Sequence, residues 1–308
     1  MGVRQGAARD HLTPEDAFSA YEAVRHRLPH TRGRRAAEPA QTLDDLADRF
    51  DVFLLDAFGV LNIGERAIPG VVDRIAGLQA RGKRCVVVTN AAGYPHAMLM
   101  SRYARLGYSF APEDVISSRK TLLAALRAAP RQSWGMMATQ RFGLDDLEGL
   151  DVTFLGEDPS VYDAVDGFLL LGSAEWTEAR QALLEDALRI RPRPVWVGNP
   201  DIVAPREDGF SIEPGHFAHR LADATGVEPQ FFGKPFGNIY DLTFAHLGPV
   251  DRSRVVMVGD SLHTDILGGQ TAGIASALVL THGFFERSDA GEAMRRAEIY
   301  PDFALVTP

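Results

Sequence analysis

Residues 52–64, VFLLDAFGVLNIG, constrain the fold more than any other part of the chain. The apolar run 52–55 drives straight into Asp56, and the chain then loosens at Gly59 and Gly64. A short continuous apolar run bounded by glycines suits a strand covered on both faces of a parallel sheet better than a helix. Asp56 then stands at the carboxyl end of a buried strand, the edge where open α/β sheets bind ligands. An acid at that edge can act as a nucleophile, a metal ligand or both.

Helix and strand patterns alternate on either side of this run. Val71, Val72, Ile75 and Leu78 recur at helical spacing as far as Gly82, which ends the helix. A second apolar strand, 84–89, stops at the polar pair Thr89 and Asn90. Helices over 94–106 and 119–128, with a short strand at 115–117, continue the alternation, which predicts a parallel sheet with helices on both faces. From about Pro130, strands at 134–138, 152–155, 167–171 and 195–197 alternate with helices near 143–149 and 176–190. An extended piece at 210–212 and a helix over 217–225 complete this block.

The first pattern then resumes. Gln230 to Pro235 leads into a helix over 237–247 and a strand over 254–258 that ends at Gly259 and Asp260. The remaining strands fall at 276–280 and 303–306. The expected organisation is therefore a core of 43–130 and 229–308 with residues 131–228 inserted as a second α/β domain. Residues 1–42 form an extension with seven arginines and three histidines. Within it, Thr13-Pro14-Glu15-Asp16 opens a helix, and 32–39 reads as a flexible link. A short helix over 43–50 feeds the central strand.

Parallel strands present their carboxyl ends on one edge, so Asp56, Thr89 and Asp260 are expected to converge. Lys234 arrives from the loop where the first pattern resumes, and Asp265 follows Asp260 by about one turn. Two or three carboxylates with an open face suit Mg²⁺, which prefers oxygen ligands. Thr89, Asn90 and Lys234 can bind the remaining oxygens of a phosphate. The set fits phosphoryl transfer to Asp56, with cationic groups neutralising the transferred oxygens.

These stretches resemble the four motifs of the haloacid dehalogenase (HAD) superfamily, and in detail those of its subfamily IIA, the NagD-like phosphatases. The matching segments are DAFGVLNIG with IPG, VVVTNAAG, FFGKPFGNIYDLTF, and VMVGDSLHTDILGGQTAGI followed by LVLTHG. The resemblance spans roughly residues 43–308. It implies a HAD-like Rossmannoid core carrying a large α/β cap between the second and third motifs. It implies further that Asp56 is the nucleophile and a Mg²⁺ ligand, and that the backbone carbonyl of Phe58 and Asp260 complete the protein ligands. Asp265 would support that shell, and Thr89, Asn90 and Lys234 would hold phosphate.

Two positions depart from the pattern. Phosphatases of this superfamily carry a second aspartate, a general acid and base, where this chain has Phe58. Such a group typically contributes ~100- to 10,000-fold in rate, and its loss matters least for aryl or acyl phosphates, whose leaving groups need little protonation. Ala91 stands where another asparagine is common. Dehalogenases of the superfamily also lack the second aspartate, so carbon–halogen hydrolysis is one alternative, against which Asp260, Lys234 and the large cap weigh. A degenerate phosphatase that only binds a phosphorylated ligand is another. Substrate selection is expected in the cap, with Asn199 and Asp201 as contacts and Arg206 and His216 as weaker candidates.

The net charge of -9 supplies no basic field for nucleic acid or an anionic membrane, so the expected partner is a small phosphorylated molecule. The single cysteine, Cys85, cannot form an internal disulfide and suits a reducing compartment. No apolar stretch reaches the ~20 residues of a membrane span, and no secretory pattern opens the chain. The expected location is the cytoplasm, and a homodimer through the cap follows by resemblance.

Overall fold

The computed structural model describes residues 12–30, 36–206, 209–286 and 288–308. Helix α1 (Pro14–Ala23) opens under a capping box between Thr13 and Asp16, with Pro14 in the first turn. Next come β1 (Glu38–Ala40), β2 (Val52–Leu55) and a small ribbon, β3 (Asn62–Ile63) with β4 (Arg66–Ala67). They are followed by α2 (Val71–Ala80), β5 (Arg84–Thr89), α3 (His96–Arg105), β6 (Val115–Ser117) and α4 (Ser118–Ala128). The inserted layer comprises β7 (Ser133–Met137), β8 (Asp151–Phe154), α5 (Pro159–Ala164), β9 (Gly167–Leu170), α6 (Glu178–Ile190) and β10 (Val195–Val197). It continues with a hairpin, β11 (Val203–Arg206) and β12 (Gly209–Ile212), then α7 (Pro214–Thr225) and β13 (Gln230–Phe231). The chain closes with α8 (Gly237–Leu247), β14 (Val255–Gly259), α9 (Leu267–Thr271), β15 (Ala275–Val279), α10 (Ala290–Ala297) and β16 (Phe303–Leu305).

The strands form two parallel sheets. One runs β1-β16-β15-β14-β2-β5-β6 and the other β13-β10-β9-β7-β8. β2 is wholly buried and lies inside the first, flanked by β14 and β5. The chain leaves β2 toward β5 on one side and returns through β14 on the other, which opens a crevice at the carboxyl end of β2. No helix among the described residues is long and apolar enough to cross a membrane.

Beyond the unexpected ribbon β3–β4, strand β11 and helices α5 and α10, the elements differ from expectation at four places. Residues 38–40 are strand, because β16 offers them an open edge and Glu38 N–H donates to the Asp302 carbonyl at 2.8 Å; positions 31–35 of the expected link lie outside the described residues. The expected helix over 43–50 is a single 3₁₀ turn, Leu43–Leu46, before the chain swings into β2. Residues 143–149 form turns, since Gly143, Asp146 and Gly149 all take positive φ, which an α-helix does not allow. Gln230 and Phe231 pair with β10, so the second sheet reaches beyond residue 228.

Candidate active site

Asp56 N–H donates to the Val258 carbonyl at 2.9 Å, so its carboxyl group leaves the sheet from the last rung between β2 and β14. Lys234 lies just beyond β13, and its Nζ stands 2.6 Å from Asp56 Oδ1 and 2.7 Å from Asp265 Oδ1. Asp260 follows β14 and accepts a 2.7 Å hydrogen bond from Phe284 N–H. It sits between two backbone turns, at Gly59 (φ 76°) and Gly283 (φ 71°). A Cβ at either position would fall 2.5 or 1.8 Å from Asp260 Oδ2, so these turns require glycine both for conformation and for space.

One carboxylate oxygen from each of Asp56, Asp260 and Asp265 lies within 4.8 Å of the others. Burial and the mutual repulsion of these acids hold Asp260 and Asp265 above the ordinary carboxylate range. Burial disfavours the Lys234 ammonium, but Asp265 and Asp56 outweigh it and hold the group charged above its usual range. Three acids face a single ammonium, and their donors are all oxygen. Such a set fits a hard divalent cation, which would offset the mutual repulsion that raises the pKa values of Asp260 and Asp265.

Thr89 ends β5 with its Oγ1 accepting from Ala91 N–H at 3.3 Å, which leaves the hydroxyl proton free to donate. Asn90 has no such freedom in its side chain. Its Nδ2 donates to Asp201 Oδ1 at 2.7 Å and to the Lys234 carbonyl at 2.9 Å. Its Oδ1 accepts from Lys234 N–H at 2.8 Å and from Ser118 Oγ at 2.9 Å. Both donors and both lone pairs of the amide are spent, so only the backbone N–H of residue 90 remains to meet an anion. Ser118 was not among the sequence candidates, although β6 also ends at polar residues, the signal that singled out the other strand ends.

The inserted layer meets this centre at residues 199–206. Asn199 is turned inward, with Oδ1 accepting from Asp201 N–H and Nδ2 donating to Glu213. Asp201 projects onto Asn90, and burial pushes its carboxyl up to about 8 against the pull of Asn90 and Lys234. Arg206, held by Glu213 at 2.9 Å, places its guanidinium carbon 5.2 Å from the Phe58 ring centroid. Arg102 of α3 covers the same ring at 4.8 Å, a contact that nothing in the sequence signalled. Phe58 thus stands under two guanidinium groups, one from each layer. His216 does not join the site: it packs edge-on against Phe217, with Arg220 and Glu178 as its charged neighbours.

Asp56, Lys234, Asp260 and Asp265 thus stand together at the switch point of a parallel sheet. Two family profiles match: a haloacid dehalogenase-like hydrolase over residues 53–152 and a HAD-hydrolase-like profile over 231–305. Bovine chronophin is 30% identical over 78% of this chain and 84% of its own length. Human glycerol-3-phosphate phosphatase is 29% identical over 88% of this chain and 91% of its own. Among solved structures, a possible sugar phosphatase from Cytophaga hutchinsonii superimposes with a TM-score of 0.77 at 24% identity, covering 88% of this chain and 98% of that one. The chain belongs to the haloacid dehalogenase-like hydrolases, and its relatives place it with the NagD-like phosphatases of subfamily IIA.

Proposed function

We propose that the protein is a Mg²⁺-dependent phosphatase of a small phosphorylated metabolite, working through an aspartyl-phosphate at Asp56. The observation that carries this reading is the Asp56 carboxylate aimed into the crevice with Lys234 at 2.6 Å and Asp260 and Asp265 beside it. The names of the relatives, phosphatases of glycerol 3-phosphate and 4-nitrophenyl phosphate, support the same class of substrate.

In the first step Asp56 attacks phosphorus, the ester P–O bond breaks, and the departing oxygen carries away the bonding pair. Water then attacks the phosphorus of the acyl phosphate, releasing inorganic phosphate and restoring the Asp56 carboxylate. Lys234 and the Thr89 hydroxyl neutralise and orient the phosphate oxygens, together with the backbone N–H of Asn90. Asp56, Asp260, Asp265 and the Phe58 carbonyl would hold Mg²⁺, which supplies charge stabilisation to the transferring group. Asp201 faces the leaving group from the cap, with Asn90 fixing its carboxyl.

Phe58 supplies no proton, so the expected substrates leave as weakly basic oxyanions, such as aryl or acyl phosphates. The same residue favours a second reading, a protein that binds a phosphorylated ligand with negligible turnover, because its ring is engaged by two arginines where a proton-transfer group would act. Phosphate release from 4-nitrophenyl phosphate and a panel of metabolite phosphates, with Mg²⁺ or chelator, tests both. Turnover that needs Mg²⁺ and disappears in Asp56→Asn supports the phosphatase. Thermal stabilisation by a phosphate ester without product release supports the binding protein.

A further inference from the structure

Helix α1 lies outside the stretch that carries the family motifs, yet it packs directly on the site. Phe18, Tyr21 and Val24 share one apolar cluster with Ile202 and Val203 of the inserted layer and with Phe284 of the core. Tyr21 makes the most telling contacts. Its Oη accepts a hydrogen bond from Ile202 N–H at 3.2 Å, immediately after Asp201. Its ring stacks on His263 at 5.0 Å and an 8° interplanar angle, within the π-helical turn Leu262–Ile266 that follows Asp260 and carries Asp265. It also leans at 6.3 Å on Phe284, whose N–H holds Asp260. The adjacent Glu22 takes the His263 Nε2 at 2.6 Å.

Ion pairs anchor the segment on both sides. Arg27 reaches Asp223 of the inserted layer at 2.7 Å, and Glu15 takes Arg296 of the core at 2.6 Å. The inserted layer therefore cannot swing away from the core without breaking the cluster around Tyr21.

We propose that α1 is a strap that completes the active site, with Tyr21 as a positioning residue that fixes the 199–203 segment of the cap against the helical turn that follows Asp260 and carries Asp265. Tyr21 touches no reacting atom and acts through Ile202 and His263. The kinetic consequence rests on the phosphatase reading above, whereas the structural one does not.

The test uses the full chain and two variants. Tyr21→Phe keeps the stacked ring and removes only the acceptor of the Ile202 amide, so it retains the fold. Tyr21→Ala removes both contacts. Hydrogen–deuterium exchange should speed up about tenfold at residues 199–206 in Tyr21→Phe and at both 199–206 and 261–266 in Tyr21→Ala, with 133–170 unchanged. In the kinetic arm, Tyr21→Phe should raise KM for 4-nitrophenyl phosphate several-fold with kcat within about twofold, the mark of a loosened substrate-facing segment. Unchanged exchange at 199–206 in Tyr21→Phe, or faster exchange confined to residues 12–28 in Tyr21→Ala, overturns the strap. If the wild type hydrolyses no phosphate ester, the phosphatase reading fails and the exchange arm alone still decides the strap.

Discussion

Lys234 Nζ and Asp56 Oδ1 meet at 2.6 Å in a crevice where the lysine side chain is only 3% exposed. Among the described residues Lys234 is the cation paired with these acids, so deleting it and deleting one acid should have unequal costs. Lys234→Met leaves Asp56, Asp260 and Asp265 buried without a counter-charge and should cost about 3–5 kcal/mol. Asp56→Asn keeps the shape and removes one charge from an anionic set, so stability should hardly change. On the proposed mechanism, turnover should nevertheless fall at least about 1,000-fold, because no nucleophile would remain. Urea unfolding alongside phosphate release checks the pair. Equal stability losses would show that charge balance does not govern the crevice.

On the proposed reading, the same excess of negative charge should make the site respond to Mg²⁺. A cation bound to the folded state alone stabilises it by about 2.7 kcal/mol at 100 times its Kd. Thermal midpoints should therefore rise on titration with Mg²⁺ and return with chelator, and Asp260→Asn should remove most of the rise. Because Asp260 and Asp265 sit above the ordinary carboxylate range, their protons compete with the metal as pH falls. The Mg²⁺-induced shift should then be smaller at pH 5.5 than at pH 8. A shift that survives Asp260→Asn in full would place the cation elsewhere.

Phe58→Asp restores the group that phosphatases of this superfamily use for proton transfer, but its surroundings differ. With Arg102 and Arg206 over the present ring, a carboxylate at 58 would be held ionised, which disables it as an acid. The single variant should gain little on alkyl phosphates. Adding Arg206→Ala should release part of the ~100-fold or greater benefit of a proton-transfer group, and more for alkyl than for aryl esters. The measurement is kcat/KM for both ester classes in the single and double variants. A gain already complete in Phe58→Asp would mean that the arginines do not control the site.

The alternation of apolar runs and helical spacing was enough to read the core sheet, because strands buried on both faces carry an unbroken apolar signal. β2, β5 and β14 lie within a residue or so of their expected places, and their polar ends carry Asp56, Thr89 and Asp260. Hydrogen-bond partnerships were not legible. Asn90 is a plausible anion ligand as a residue type, and only the fold reveals that Lys234, Ser118 and Asp201 use up its amide. Likewise, β1 contains a proline, reads as a link, and becomes strand because β16 has a free edge. Residues 12–28 show only a capping signal at Thr13; their role depends on contacts with residues 202, 263 and 284, far away in sequence.

His219 offers a test of stability that is independent of catalysis. It is buried in α7, stacks on Phe231 at 4.8 Å, and its Nδ1 finds no partner among the described residues. Burial, reinforced by Arg27, lowers its pKa to about 4. The unfolded chain, with a histidine near 6.5, therefore binds more protons than the folded chain between about pH 6.5 and pH 4, and stability is lost as pH falls through that window. The full loss amounts to roughly 3 kcal/mol, at 1.36 kcal/mol per unit. His219→Phe preserves an aromatic ring against Phe231 and removes the proton site. At pH 7.5 its stability should match the wild type; by pH 4.5 it should exceed it by about 2–3 kcal/mol in urea unfolding. Parallel curves for the two proteins would mean that the imidazole is not held neutral by burial.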